Sequence, residues 1–222
     1  MKKYLIVLVL FIMLLGVTGC KNNKYALEFK EEYESLNGTT NKSGKEHRTI
    51  SISKNNPFHK VEQKDIVKMI EDKETFYLYV GDPLCPWCRS VLEKSIEVAK
   101  ENKVKEIYYI DIWDDDGNEI LRDKYESKDG TLVKTVNGTE EYKKLLEYFD
   151  SVLSNYTVSD NDGNKIETGE KRIYAPNFFY IENGKVIKLV EGISDKQKDS
   201  REELTKEILE KKKKIFEEFF NN

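Results

Sequence analysis

The chain has 222 residues, 38% of them hydrophobic and 35% charged, with a formal net charge of −4. That length suffices for one well-buried core, and the mildly acidic balance argues against a nucleic-acid partner, which calls for a clustered basic face. Only three cysteines occur, Cys20, Cys85 and Cys88, so thiol chemistry has few places to reside.

At the N-terminus, Lys2 and Lys3 precede a nearly unbroken apolar run from Tyr4 to Leu15 that ends at Gly16. A run of about a dozen residues falls short of the ~20 needed to span a bilayer as a helix, so it reads as a signal-peptide core. Val17-Thr18-Gly19-Cys20 then resembles a lipobox: an aliphatic residue, two small residues and a cysteine. The resemblance implies removal of residues 1–19 and a diacylglyceryl group on Cys20, and two acyl chains anchor stably where one is marginal. The competing reading is an ordinary secretory signal that ends beside a cysteine. Either places the chain outside the cytoplasm, and the lipobox holds it on the extracytoplasmic face of a bacterial membrane. Residues 20–47 then form a lipidated N-terminus and tether, and 48–222 the folded domain.

From Lys21 to about Arg48 the chain is polar, with a short helix possible over Phe29–Leu36 and a loop at 37–44. Thr49-Ile50-Ser51-Ile52 alternates like a half-buried strand. Pro57 breaks the chain before a helix of roughly Val61–Asp72, with Ile66, Met69 and Ile70 as its apolar stripe. Thr75–Val80 is a nearly continuous run of β-forming residues, as in a strand covered on both faces. It leads through Gly81-Asp82-Pro83-Leu84 into Cys85-Pro86-Trp87-Cys88 and a helix to about Asn102. Ile107–Ile112 reads as a second central strand.

Asp114-Asp115-Asp116-Gly117-Asn118 looks superficially like a calcium loop. With Gly117 at the sixth position, however, Ile112 falls on the first ligand position, and Gly163 likewise puts Val158 there. Both segments read as solvated turns. Residues 114–138 read as an irregular or partly helical insertion. Thr139 suits a helix cap, and the 3–4 spacing of Tyr142, Leu145, Leu146, Phe149, Val152, Leu153 and Tyr156 predicts one long amphipathic helix. Residues 155–172 are turn-rich, with a small hairpin at Asp162-Gly163. After Ala175-Pro176, strands at Asn177–Ile181 and Lys185–Val190 flank Asn183-Gly184, a strong hairpin signal. A charged amphipathic helix of about Arg201–Phe220 closes the chain. Its Lys211–Lys214 run reads as a solvated face, or one that touches anionic lipid.

Cys85 and Cys88 sit at C-x-x-C spacing in a compartment where disulfides persist. A zinc site needs four ligands, and only His47 and His59 are left to complete one, at a spacing that fits no common pattern. No metal or cofactor is therefore expected. The order of elements, with CPWC at a strand-to-helix junction and X-Pro ahead of a hairpin, resembles the thioredoxin superfamily. Gly169-Glu170-Lys171-Arg172-Ile173-Tyr174-Ala175-Pro176 is similar to the corresponding stretch of thioredoxin-like lipoproteins of Gram-positive bacteria. The resemblance implies an α/β fold, a central mixed sheet flanked by helices, with the insertion lying between the third strand and a cis-proline loop at Pro176.

It also implies a thiol–disulfide oxidoreductase in which Cys85 is the nucleophile and Cys88 the resolving thiol. A thiolate is the attacking species, and a helix N-terminus favours it through unsatisfied N–H groups and the helix dipole. Pro86 suits the first helical turn, where its missing N–H costs nothing. Arg89 is placed to favour the Cys85 thiolate further, with Asp82 opposing it. Trp87 either shields the site, offers apolar surface to a substrate, or simply packs. The loop backbone at Ala175 and Pro176 would pair with an extended substrate. One departure is plain: thioredoxins carry a buried acid six residues before the first cysteine, and here Tyr79 stands there.

The implied partners are thiols and disulfides of exported or membrane proteins, together with a redox partner; reductase, oxidase and isomerase directions stay open. The main alternative is a thioredoxin-fold lipoprotein that binds a peptide or partner without significant turnover. A metal chaperone is a distant third, because Met69 is the one methionine beyond the leader.

Overall fold

The computed structural model describes residues 24–113, 121–128 and 130–221. The leader, the lipobox with Cys20 and the acidic turn at 114–118 lie outside these residues. Helix α1 spans 24–34. Its Ala26, Phe29 and Tyr33, three and four residues apart, fall on one face and are buried. The segment expected to be a tether is therefore packed into the body from residue 24.

Thr49–Ile52, expected to be a strand, joins no sheet. Its alternation is real, since Ile50 and Ile52 are both buried. Side chains replace the neighbouring strand, however: the Ile50 N–H donates to Asn37 Oδ1 at 3.1 Å and the Ile52 N–H to Glu34 Oε1 at 2.6 Å. The first sheet strand is instead β1, Phe58–Lys60, directly after Pro57.

Then follow α2 (Gln63–Glu71), β2 (Phe76–Gly81), α3 (Pro86–Glu101) and β3 (Ile107–Asp111). After a hairpin of β4 (Lys124–Lys128) and β5 (Thr131–Val136) come α4 (Glu140–Phe149) and a 3₁₀ turn at Asp150–Val152. A second hairpin, β6 (Asn155–Ser159) and β7 (Lys165–Lys171), precedes β8 (Asn177–Glu182), β9 (Lys185–Val190) and α5 (Lys206–Phe220).

The main sheet has the order β1-β3-β2-β8-β9. β1 and β2 run parallel to β3, whereas β8 runs antiparallel to β2 and β9 to β8. The protein is thus α/β, a mixed sheet flanked by helices. Strand β2 lies at its centre, and alternate side chains go to opposite faces. Tyr79 joins Phe29, Tyr33, Val91 and Phe216 on one side, which α1, α3 and α5 cover. Leu78 and Val80 join Ile66, Leu145 and Phe179 on the other, under α2 and α4. Asn183 and Gly184 take φ of 51° and 72°, as a two-residue hairpin of this hand requires. A Cβ on Gly184 would lie 2.3 Å from the Ile70 carbonyl oxygen, so this glycine also lets the turn close on α2.

Three further expectations are corrected. The insertion is neither irregular nor helical over 124–136 but a hairpin, which its half-exposed, charge-rich strands do not announce by hydrophobic pattern. Helix α4 stops at Phe149 although the apolar spacing continues to Tyr156. Beyond the 3₁₀ turn the Ser154 carbonyl accepts from the Arg172 N–H, and Asn155 pairs with Lys171, so β7 captures the chain. In α5 the Lys211–Lys214 run is not uniformly solvated, because Lys212 is fully buried. Among the described residues no helix is long and apolar enough to cross a membrane.

Candidate active site

Strand β2 delivers the chain to Asp82, which turns it. Asp82 Oδ1 accepts from the Leu84 N–H at 2.7 Å, and its carbonyl accepts from the Cys85 N–H at 3.1 Å. Cys85 then becomes the N-cap of α3 with Pro86 in the first helical position. There the proline sacrifices no hydrogen bond, and the Cys85 sulfur, 3.5 Å away, accepts from the Cys88 N–H. Cys88 lies one turn on and is completely buried, whereas Cys85 is half-buried; both are free thiols.

The chain before β8 supplies the facing wall. The Ala175–Pro176 peptide is cis. The Cys85 thiol donates to the Ala175 carbonyl at 3.5 Å. Asn177, buried at the start of β8, braces this loop: its Oδ1 accepts from the Tyr174 N–H at 2.8 Å and its Nδ2 donates to the Pro176 carbonyl at 3.0 Å. Sequence reasoning passed over Asn177, although a polar residue directly after X-Pro at the head of an apolar strand was its signal.

The two thiols are driven apart in acidity. A hydrogen bond from the Cys88 thiol, helped by the N–H groups of Cys88 and Trp87, holds Cys85 below the ordinary thiol range despite its burial. Burial pushes Cys88 well up, and the neighbouring Cys85 sulfur adds to that. Asp82 opposes the Cys85 thiolate, but burial raises the Asp82 carboxyl itself. At neutral pH the half-buried Cys85 sulfur is the better nucleophile and the fully buried Cys88 keeps its proton.

Arg89 is sited differently from expectation. Its Nε donates to the Arg48 carbonyl at 2.8 Å, Nη1 to the Tyr33 and Pro83 carbonyls at 2.7 and 3.3 Å, and Nη2 to Asn37 Oδ1 at 2.7 Å. These bonds tie the N-terminal segment to α3 and point no donor at the Cys85 sulfur. Trp87 is half-exposed beside Cys85, and Leu84 on the other side is 49% exposed. Next to Leu84 a cavity of about 620 Å³ opens between Pro83, Leu36, His47, Asp111 and Trp113.

Beneath the thiols lies a hydroxyl pair. Tyr79 lies in the same buried cluster as Cys88 and favours its thiolate, and Tyr33 from α1 meets Tyr79 oxygen to oxygen at 3.2 Å. Tyr33, 52 residues before Cys85, carried no sequence signal beyond an apolar face. Among the described residues no group of three or more His, Cys, Asp or Glu side chains is arranged to hold a metal ion. No protein-family model matches the chain, and no curated protein matches it either.

Proposed function

We propose that this protein is a lipid-anchored, extracytoplasmic thiol–disulfide oxidoreductase of the thioredoxin-like class, acting on cysteines of exported or membrane proteins. One observation carries the reading: a half-exposed, acidified Cys85 at a helix N-cap, with a buried Cys88 one turn below it and the Ala175 carbonyl against its sulfur. That arrangement suits exchange. The Cys85 thiolate attacks a substrate disulfide, a mixed disulfide forms, and one substrate sulfur leaves as a thiol. Cys88 then attacks Cys85, expels the second substrate sulfur and closes the Cys85–Cys88 disulfide. Run backwards, the same steps oxidise a substrate dithiol; the reduction potential of the couple sets the direction. Backbone groups of the Tyr174–Pro176 loop, beside exposed Leu84 and half-exposed Trp87, offer an extended substrate both hydrogen bonds and apolar surface.

Cys88→Ala removes the resolving thiol, so the mixed disulfide should persist. Cells that express this variant should yield adducts with exported or membrane proteins that vanish on reduction. They should be missing when Cys85 is also replaced. Absence of adducts under native redox conditions would favour a binding protein without turnover.

A further inference from the structure

The buried thiol poses a problem that the exchange reaction does not solve by itself. Cys88 is wholly enclosed, in a core cluster with Val91, Leu92 and Phe178. Its sulfur must nevertheless carry negative charge when it attacks the mixed disulfide, and again when it leaves during the reverse reaction. An anion formed in such surroundings needs a donor already in place.

The sequence and the strand geometry supply one. Tyr79 and Gly81 lie on the same face of β2, two residues apart, and the Tyr79 ring leans along the strand over Gly81. A Cβ at position 81 would lie 2.3–2.4 Å from the ring end and hydroxyl of Tyr79, so only glycine leaves room for this tilt. The tilt turns the hydroxyl toward the C-terminal end of β2, within the buried cluster that holds Cys88. On its other side the hydroxyl meets Tyr33 at 3.2 Å, and the ring is stacked between Tyr109 and Phe178 at centroid distances of 5.5 and 4.5 Å. A rigid ring with two polar neighbours has little freedom to point elsewhere.

We infer that Tyr79 is a catalytic hydrogen-bond donor to the Cys88 thiolate and that Tyr33, through its bond to Tyr79, is the residue that positions it. The inference rests on the oxidoreductase reading. In the resolving step the Cys88 S–H proton is lost, the Cys88 sulfur bonds to Cys85, and the Cys85–substrate S–S bond breaks. The electron pair leaves on the substrate sulfur, which takes up a proton and departs as a thiol. Tyr79 neither gains nor loses a proton in this balance. Burial holds its hydroxyl neutral far above the ordinary tyrosine range, and the same is true of Tyr33. A neutral hydroxyl accepts from the Cys88 thiol and turns to donate once the thiolate forms. The other ionisable groups that act on Cys88 include Cys85 and Asp82, which both disfavour its thiolate, and Tyr33, whose hydroxyl burial keeps neutral. Tyr79 works in the opposite sense.

The test uses the full chain with Cys20→Ala, so that only Cys85 and Cys88 react, and 5,5′-dithiobis(2-nitrobenzoate) as the probe. Cys85 releases a first thionitrobenzoate as it forms the mixed disulfide, and Cys88 releases a second as it resolves it. Tyr79→Phe should leave the first release unchanged and slow the second about 10- to 100-fold at neutral pH, the scale of a lost hydrogen bond to a charged group. The pH profile of the second release should move upward. Tyr33→Phe, which keeps the Tyr79 hydroxyl, should shift that profile in the same direction by less, and it carries the test if Tyr79→Phe does not fold. Equal second-release profiles for wild type and variants would overturn the inference, as would slowing of both releases alike. A parent protein that releases no second equivalent would instead sink the oxidoreductase reading.

Discussion

At the scale of single residues, Lys212 is a fully buried charge hydrogen-bonded to no carboxylate among the described residues. Its ammonium lies under α3, with the Ser90 hydroxyl and the Gly192 carbonyl both at 3.5 Å, the outer limit of a hydrogen bond. Burial, and then the positive charge of Arg48, push it down to about 7 from an ordinary 10.5. Below pH 7 both folded and unfolded chains are protonated here, and the folded state carries the full penalty. Between about 7 and 10.5 the unfolded chain still holds the proton that the folded chain has released. The unfolded state therefore binds more protons, and stability rises with pH through that window. Lys212→Met should stabilise the fold by about 1–3 kcal/mol at pH 6 and by progressively less toward pH 10. Denaturant titrations at pH 6, 8 and 10 measure this, and a gain that does not vary with pH would show that the charge is not the cause.

At the scale of elements, Arg89 joins α1 and the segment after it to α3. Four acceptors in three directions, from Tyr33, Asn37, Arg48 and Pro83, match a planar guanidinium and no other side chain. Arg89→Ala would strand the buried Tyr33 carbonyl and should cost about 2–4 kcal/mol, with proteolysis entering residues 35–48 first. Arg89→Lys should recover only part of this loss, and the pH dependence of Cys85 alkylation should be unchanged in both. A raised Cys85 alkylation pH would restore the role in thiolate stabilisation that the C-x-x-C-Arg spacing suggested. Such links explain which parts of the fold were legible in the sequence. Strand β2, the Cys85–Cys88 helix and the Asn183-Gly184 hairpin announce themselves through local pattern, and the Ala175-Pro176 loop through its place before an apolar strand. What Arg89, Lys212 and Tyr33 do depends on partners 52, 122 and 46 residues away. The β4–β5 hairpin is half-exposed, so it has no apolar face to read. At 49–52 the alternation correctly marked buried positions, but periodicity reports burial and not the identity of the hydrogen-bond partner.

At the scale of the whole molecule, α1 joins the start of the described chain to the thiols. Near the start of α1, Tyr25 stacks on His59 of β1 with ring centroids 3.6 Å apart, and the Ala26 carbonyl accepts from Asn56 Nδ2 at 2.7 Å. At its end, Tyr33 reaches Arg89 and Tyr79 beside the active site. The helix thus runs alongside the parallel strands, from near β1 toward the end of β2 where Cys85 emerges. Its 11 residues (24–34) cover about 16 Å at 1.5 Å per residue. The backbone from Cys20 to residue 24 reaches at most ~14 Å when extended. An acylated Cys20 would therefore enter the bilayer near the far end of α1 and leave the dithiol facing away from the membrane surface. A membrane-impermeant maleimide should accordingly label Cys85 on intact cells without detergent, and the Cys88→Ala adducts should include water-soluble exported proteins. Fatty-acid labelling and membrane partition should both be lost in Cys20→Ala, whereas reaction with a soluble model disulfide should not change, because every contact of the site lies at or beyond Tyr33. Maleimide labelling that required dissolved membranes would refute this orientation. Persistent fatty-acid labelling of Cys20→Ala would refute the anchor itself.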